Sequence, residues 1–206
     1  MNKLIISPHL DDEVLGCGGI LDKDTTVIYC GVDESSIQQS WVRRRPDIET
    51  RIREKNQVAS VAGFFSTILN QPVNQYDEQA LIGLFEQQIN IYKPDEIYIP
   101  HPSYNQDHCA VYKAATIALR PHDINHFVKR VLVYEQPHVL WAPETNFTPQ
   151  YFIEIDIERK LHLYELYTSQ VRKFRSVEHI KALARVRGLM ANCEYAEAYE
   201  VMRWIN

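Results

Sequence analysis

A histidine and three acidic residues stand within five positions of one another near the start of the chain. The segment reads Pro8-His9-Leu10-Asp11-Asp12-Glu13 and comes directly after a short apolar run. Adjacent carboxylates repel one another and resist ionising together unless a cation, hydrogen bonds or water offset the repulsion. Acids also occur at helix N-termini for structural reasons, because they favourably meet the helix dipole. The neighbouring His9 favours a metal site over that alternative.

A second polar cluster follows the fourth predicted strand and reads HPSYNQDH from His101 to His108. In an open parallel sheet, the loops after strands one and four lie side by side where the strand order switches, so both clusters should face one crevice. Two histidines and one aspartate would then converge. Catalytic zinc sites use three such nitrogen or oxygen ligands and keep a fourth position for water. Magnesium, which prefers oxygen ligands, would make poor use of two imidazoles.

The strands that would position these clusters are short, β-branched and apolar, and helical periodicity separates them. Strands are predicted at 3–7, 26–32, 64–69, 95–100, 130–136 and 151–155, and helices at about 44–63, 77–92 and 107–119, with a short helix after Asp12. Gly63 suits the C-terminal end of the helix that it follows. This order predicts the α/β class, as a single-domain, Rossmann-like three-layer fold with an open, mostly parallel sheet and a helical C-terminal end.

The two polar clusters can meet only if the first and fourth strands are parallel neighbours in the sheet. We therefore expect strands 3–7 and 95–100 to pair. From Ile157 onward the pattern is helical, with apolar residues at helical spacing. The residues expected on the inner faces of these helices are Tyr164, Tyr167, Ile180, Leu183, Val186 and Met190.

The composition is that of an ordinary globular protein. The chain has 206 residues, of which 45% are hydrophobic and 24% charged, and this fits one domain over residues 1–206. Its net charge of −5 lacks the basic excess that nucleic-acid binding usually needs. We see no apolar run near the roughly 20 residues of a membrane span and no cleavable signal, so we expect a cytoplasmic protein. The four cysteines form no CxxC pair and are expected to be reduced, and the sequence leaves a homo-oligomer open.

Two segments resemble the signature motifs of one enzyme family. SPHLDDEVLGCGG is similar to the P-H-x-D-D-E signature of the PIG-L/LmbE-type N-deacetylase family, and NQDHCAVYKAA is similar to its second motif, which ends in Asp-His at the start of a helix. Further agreement covers 51–63, Tyr167-Thr168-Ser169-Gln170, Arg187-Gly188 and 194–199. The resemblance thus runs nearly the length of the chain, and its two metal motifs are highly specific in combination.

The resemblance implies a zinc ion bound by His9, Asp12 and His108, with Asp11 left free as the general base. It also implies hydrolysis of the N-acetyl group of an amino-sugar derivative similar to N-acetylglucosamine, so the expected partner is a small-molecule substrate. The physics agrees, because zinc lowers the pKa of its water toward about 7 and a nearby carboxylate can take the proton. Glu13 is expected to hold a ligand or to cap backbone amides.

One position departs from the family pattern. Many members carry a histidine three residues before the metal-binding histidine, where it is thought to stabilise the oxyanion, and this chain has Asn105 there. Asn105 could donate a neutral hydrogen bond, or His101 could reach in from the strand end, with the Asp107 carboxylate orienting whichever is used. Tyr104 is another candidate donor. We predict that Asn105 and Asp107 act in catalysis together with Asp11.

Several other residues are weaker candidates for contacts with the substrate. Arg51 or Arg53 is expected to contact substrate, because the resemblance places their helix beside the crevice. The run Arg43-Arg44-Arg45 could meet a phosphate or carboxylate, although a solvated charge run is the better interpretation. Trp41 and Trp141 could stack on a sugar or be buried under loops. The glycines that follow the first strand miss the dinucleotide-loop spacing and are attributed to close packing of the first helix.

Two other functions fit the same residues. One is a zinc hydrolase that cleaves a different amide or an ester. Phosphoester hydrolysis often uses two metals about 3.5 to 4 Å apart, and the sequence offers ligands for only one. The other is a non-catalytic, metal-stabilised binding module in which Asn105 reflects lost catalysis. Against it, Asp11 and a complete ligand set are both present.

Overall fold

A computed structural model describes residues 1–32, 47–137, 146–173 and 175–206. Strand residues in these ranges are β1 (Lys3–Ser7), β2 (Thr25–Tyr29), β3 (Phe65–Ile68), β4 (Glu96–Pro100), β5 (Arg130–Tyr134), β6 (Tyr151–Glu154) and β7 (Ala196–Trp204). The described strands form one sheet in the order β3-β2-β1-β4-β5-β7-β6. The α-helices of the same ranges are α1 (Asp12–Cys17), α2 (Ile48–Ala62), α3 (Glu78–Tyr92), α4 (Gln106–Ala118), α5 (Ile157–Glu165) and α6 (Val177–Ala191), and a 3-10 helix at Gly18–Ile20 follows α1.

The pairing of the first and fourth strands is confirmed. β1 runs parallel to β4, with Leu4 opposite Ile97, and it pairs in parallel with β2 on its other side. β2 and β3 are also parallel, as are β4 and β5. The strand order reverses between β1 and β4, so the loops that leave these two strands share one edge of the sheet.

Strand residues alternate between two apolar cores, one on each face of the sheet. In β1, Ile5 belongs to the core shared with α1, α2, α5 and α6, whereas Leu4 and Ile6 belong to the core shared with α3 and α4. The sheet therefore lies between two helical layers. This is the predicted three-layer α/β fold.

Local sequence signals set both ends of α2. Asp47 caps α2 by accepting a hydrogen bond from the Thr50 amide at 2.6 Å. The helix therefore begins at Ile48, later than the predicted start near residue 44. Gly63 ends it in the left-handed conformation, with φ of 86°, as its position in the sequence predicted.

The C-terminal part of the chain follows the predicted pattern only in part. Helices α5 and α6 agree with the expected helical region, and Tyr164, Tyr167 and Ile180 are buried. Val186 and Met190 are 54% and 52% exposed, so the prediction that they face the core is wrong. After α6 the chain forms β7, which the sequence analysis did not anticipate, and β7 lies antiparallel between β5 and β6.

Close packing fixes α1 against the rest of the fold. A side chain at Gly16 would overlap the Tyr134 ring, and one at Gly19 would overlap Ile155, so the glycines are needed for the close approach. Lys160 is buried and donates to the Leu15 carbonyl at 2.9 Å and to Glu197 at 2.6 Å. This buried ion pair joins α5 and β7 to the helix that follows the first polar cluster. Among the described residues, no helix is both long enough and apolar enough to cross a membrane.

Candidate metal centre and active site

His9, Asp12 and His108 converge at the carboxyl edge of the sheet. His9 follows β1, Asp12 opens α1, and His108 lies in the first turn of α4. One ligand atom from each of the three side chains lies within 4.8 Å of the others. The Asp12 Oδ2 atom is 3.3 Å from His9 Nδ1 and 3.3 Å from His108 Nε2. The expected geometry, in which the loops after β1 and β4 bring these groups together, is therefore present.

The surroundings of Asp12 favour its ionised form. Burial acts to raise the pKa of this carboxyl, but the charges and hydrogen bonds of His108 and His9 lower it well below the usual value. The backbone amide of His9 also donates to Asp12 Oδ2 at 3.0 Å. Asp12 is thus a buried carboxylate that lies beside two imidazoles.

Asp107 holds the other nitrogen of His9. Its Oδ2 atom lies 2.8 Å from His9 Nε2 and accepts a hydrogen bond of 2.8 Å from the backbone amide of Asn74. The prediction that this carboxylate orients Asn105 or His101 is not matched by these contacts, because Asp107 points to His9. A carboxylate on the second nitrogen of a histidine fixes its tautomer and ring orientation, and metal-binding histidines commonly have such a partner.

The side chain of Asp11 has a different ion-pair partner from that of its neighbour Asp12. It has a φ of 127°, a left-handed backbone conformation that is strained for any residue except glycine. Its Oδ2 atom accepts a hydrogen bond of 3.2 Å from Arg175 Nη1. Burial raises the pKa of the Asp11 carboxyl and Asp12 raises it further, while the charges of Arg175, Arg51 and His9 act in the opposite direction.

Glu13 is completely buried next to Asp11 and Asp12. Its Oε2 atom accepts a hydrogen bond of 3.1 Å from the Asp11 backbone amide, which agrees with the expectation that Glu13 caps a backbone amide. Its Oε1 atom accepts a hydrogen bond of 2.6 Å from the Tyr167 hydroxyl. Burial raises the pKa of Glu13 to about 7, although the Tyr167 hydrogen bond opposes this. Glu13 therefore supports the backbone of Asp11 from below.

The three candidates for an oxyanion donor have different surroundings. Asn105 caps α4, because its Oδ1 atom accepts a hydrogen bond of 2.8 Å from the Asp107 amide. His101 is buried, its Nε2 atom is 3.7 Å from a Glu200 oxygen, and its ring meets Phe147 edge-on at 5.3 Å between centroids. Burial lowers the pKa of His101, against the influence of Glu200.

Tyr104, the third candidate donor, is 60% exposed to solvent. It stands in the loop between β4 and α4, one residue before the cap of α4. The exposed ring contrasts with the buried side chains of Asp12, Asp107 and His108.

Arg51 and Arg53 occupy opposite environments. Arg51 is 1% exposed and donates to the Leu10 carbonyl, directly before Asp11, so it supports the first polar cluster from the interior. Arg53 is exposed, with a 3.5 Å hydrogen bond to Thr50. Arg43, Arg44, Arg45, Trp41 and Trp141 lie outside the described residues.

Three residues of the site were missed by the sequence analysis. Arg175 reaches Asp11 from the segment between α5 and α6, and the Asn74 amide reaches Asp107 from the segment after β3. Tyr76 donates a hydrogen bond of 2.6 Å to the Pro8 carbonyl, and its ring centroid is 6.1 Å from that of His9. No motif or spacing marks any of them, because each acts through a contact that tertiary packing creates.

Comparison with solved structures finds the same fold in several proteins. The conserved protein TT1542 from Thermus thermophilus is 23% identical with a TM-score of 0.81, covering 100% of this chain and 96% of that one. The N,N'-diacetylchitobiose deacetylase from Pyrococcus horikoshii, solved with an inhibitor, is 18% identical with a TM-score of 0.77, covering 98% and 83%. The 4-carboxy-2-hydroxymuconate hydratase GalB from Pseudomonas putida KT2440 is 18% identical with a TM-score of 0.79, covering 100% and 98%.

Comparison with protein families assigns the chain to one of them. No curated protein sequence matches the chain. The model of the PIG-L family, described as GlcNAc-PI de-N-acetylase, matches residues 4–119, which is more than half of the chain and includes both polar clusters. With His9, Asp12 and His108 gathered at the strand ends inside that match, the chain belongs to the PIG-L family.

Proposed function

We propose that this protein is a zinc-dependent hydrolase that removes the N-acetyl group from an amino-sugar derivative and releases acetate and a free amine. The observation that carries the proposal is the convergence of His9, Asp12 and His108 beside the buried Asp11 carboxylate, in a chain of the PIG-L family. Fold alone does not select the reaction, because a deacetylase and a hydratase both share it. The family description supports an N-acetylglucosamine-like substrate.

The donor set of the proposed centre fits zinc. Two imidazoles and one carboxylate match the three nitrogen or oxygen ligands of a catalytic zinc site. Asp107 engages Nε2 of His9, and Nδ1 of the same ring is the nitrogen beside Asp12. When bound, zinc would polarise the amide carbonyl and lower the pKa of a water molecule at the site.

Asp11 is the proposed general base. Its neighbour Asp12 is engaged by both histidines, whereas Asp11 interacts with Arg175 instead and is available to take a proton. As water adds to the amide carbon, Asp11 accepts the proton that the water loses. When the carbon–nitrogen bond breaks, Asp11 returns the proton to the departing nitrogen. The products are then acetate and the amine of the sugar.

Asn105 is proposed to stabilise the acyl oxygen as it gains negative charge. Its Oδ1 atom is used to cap α4, and its Nδ2 atom has no hydrogen-bond partner among the described residues. A neutral amide donor at this position would replace the histidine of many family members. Because a neutral donor stabilises an oxyanion less than a cation does, we expect Asn105→His to be tolerated and Asn105→Ala to slow turnover.

We also propose that one deacetylase domain extends over residues 1–206 and that it acts on a small molecule. The match of the whole chain to TT1542 supports the extent of the domain. The residues after 119, which the family model does not cover, supply Arg175 and Tyr167 to the proposed site.

The test is acetate release from a panel of N-acetylglucosamine conjugates by zinc-loaded protein. We expect acetate and free amine in equal amounts, loss of both after chelation, and recovery when zinc is restored. The matched control is Asp11→Asn, which should bind zinc but release acetate far more slowly. Failure of the zinc-loaded protein to act on any conjugate, or full activity in metal-free protein, would overturn the proposal.

A further inference from the structure

We propose that Arg175 is a positioning residue that fixes the carboxylate of Asp11, an inference that rests on the proposed function because it assigns Asp11 as the base. Arg175 belongs to the segment between α5 and α6. It stands 164 residues from Asp11 in the chain and outside the residues matched by the family model. The C-terminal part of the fold would thereby control the geometry of a base that the N-terminal motif supplies.

The carboxylate of Asp11 depends on Arg175 for its orientation. Arg175 Nη1 donates to Asp11 Oδ2 at 3.2 Å, and this contact ties the carboxylate to the C-terminal part of the fold. Asp12, in contrast, is held by the His9 amide and lies beside both imidazoles. Without Arg175, the strained Asp11 backbone would carry a side chain that is free to change rotamer beside a like charge.

Arg175 is itself held by backbone contacts. Its amide donates to the Arg172 carbonyl at 2.9 Å, and its carbonyl accepts a hydrogen bond of 2.9 Å from the Tyr164 hydroxyl. Tyr164 is completely buried, and its hydroxyl oxygen also lies 3.1 Å from the Gln170 carbonyl oxygen, so its single proton is shared between the two carbonyls. Tyr164 of α5 therefore contacts the segment at two points, Gln170 and Arg175.

A second anchor joins the same segment to α2. Glu54 is buried and accepts three hydrogen bonds: one of 2.6 Å from the Thr168 hydroxyl and, from Ser169, 2.8 Å from the amide and 2.6 Å from the hydroxyl. Two elements, α5 and α2, thus hold the segment that carries Arg175. A base must lie close to its reacting proton, and a displacement of about 1 Å can cost roughly 10²-fold in rate.

The experiment compares Arg175→Gln with Arg172→Gln. The second variant also removes a guanidinium from this segment, but not the one that donates to Asp11. Arg172 donates to the Gln170 side chain at 3.0 Å. We expect Arg175→Gln to lower kcat by about 10² while KM and zinc content stay within about twofold of the wild type. Arg175→Lys should recover part of the loss, and free guanidinium should partly restore Arg175→Ala. Arg172→Gln should retain wild-type kcat.

A double variant distinguishes action through Asp11 from a structural effect. In the Asp11→Asn background, Arg175→Gln should cause no further loss of kcat, because the group it positions is already absent. Unchanged kcat in Arg175→Gln, or losses that add fully in the double variant, would overturn the inference. The inference would also be overturned if neither free guanidinium nor Arg175→Lys restored kcat and the loss of kcat tracked a fall in melting temperature.

A crystal structure of zinc-loaded Arg175→Gln gives a readout that does not depend on activity. We expect the Asp11 carboxylate to change rotamer while His9, Asp12 and His108 keep their positions. An Asp11 carboxylate that keeps its place would overturn the inference even if turnover fell. If the Asp11 carboxylate moves in Arg175→Gln but the wild-type protein releases no acetate, the proposed function is wrong, whereas the role of Arg175 in positioning Asp11 is supported.

Discussion

The segment matched by the family model, residues 4–119, and the segment after it contribute to the site by different means. In the first segment, His9, Asp12 and His108 are carried to one edge of the sheet by β1 and β4, which are parallel neighbours. Strand order alone accounts for their meeting. The residues that could bind a metal are therefore a property of topology and of two short motifs.

The second segment, residues 120–206, reaches the same site through long-range side-chain contacts. Arg175 contacts Asp11, Tyr167 contacts Glu13, and Lys160 contacts the Leu15 carbonyl of α1. None of these residues belongs to the ligand cluster. The proposed metal ligands and the orientation of the proposed base therefore depend on different parts of the chain, and single substitutions should affect one without the other.

The largest effect is expected from Asp12→Ala in the first segment. This change removes one of three proposed ligands and leaves two imidazoles without their shared carboxylate, so zinc content and acetate release should be lost together. Metal analysis and acetate assays on the same preparation measure both. Asp24→Ala, a change on the surface, is the control and should alter neither. Stoichiometric zinc in Asp12→Ala would remove Asp12 from the ligand set.

The next effect is expected from Asp11→Asn, which distinguishes the proposed base from the proposed ligands. The amide cannot accept a proton at neutral pH, so kcat should fall by roughly 10² to 10⁴ while zinc stays bound. Metal analysis with single-turnover kinetics checks this. If zinc were lost as readily as in Asp12→Ala, Asp11 would be a ligand and the separation between the two aspartates would be wrong.

A stability effect is expected from Lys160→Met in the second segment. Removing the cation leaves the buried Glu197 carboxylate without its ion-pair partner, which should lower the free energy of unfolding by about 3 to 5 kcal/mol. Urea denaturation measures the change. Adding Glu197→Gln should recover part of it, because no charge is then left unpaired. A loss that the second substitution does not reduce would show that the pair is not the cause.

The smallest effect is expected from Gly63→Ala at the end of α2. Its φ of 86° is unfavourable for alanine, so unfolding free energy should fall by about 1 kcal/mol and the melting temperature by about 2 to 4 °C, with kcat unchanged. Gly83→Ala inside α3, where an added methyl meets no neighbour within 4 Å, is the matched control and should not destabilise the protein. Equal losses in both variants would refute the role of the left-handed conformation.

The sequence by itself determined the features that depend on neighbours along the chain. Short, β-branched apolar runs predicted the strands, and Gly63 marked the end of α2, because these effects act within a few residues. The order of strands and helices then predicted that β1 and β4 would pair, which brought His9 and His108 to one edge. The resemblance to the PIG-L family added the roles proposed for these residues.

Only the tertiary structure decided which groups surround the two aspartates. The pairing of Asp107 with His9 and of Arg175 with Asp11 joins residues 98 and 164 positions apart, and no local periodicity encodes either contact. The same holds for β7, whose place between β5 and β6 and whose burial depend on neighbours from elsewhere in the chain. The wrong prediction for Val186 and Met190 has a related cause. Helical spacing placed both residues on one face of α6, but it did not show whether another layer packs on that face. The physical reason is that these contacts depend on how whole helices and strands pack, which sequence spacing does not specify.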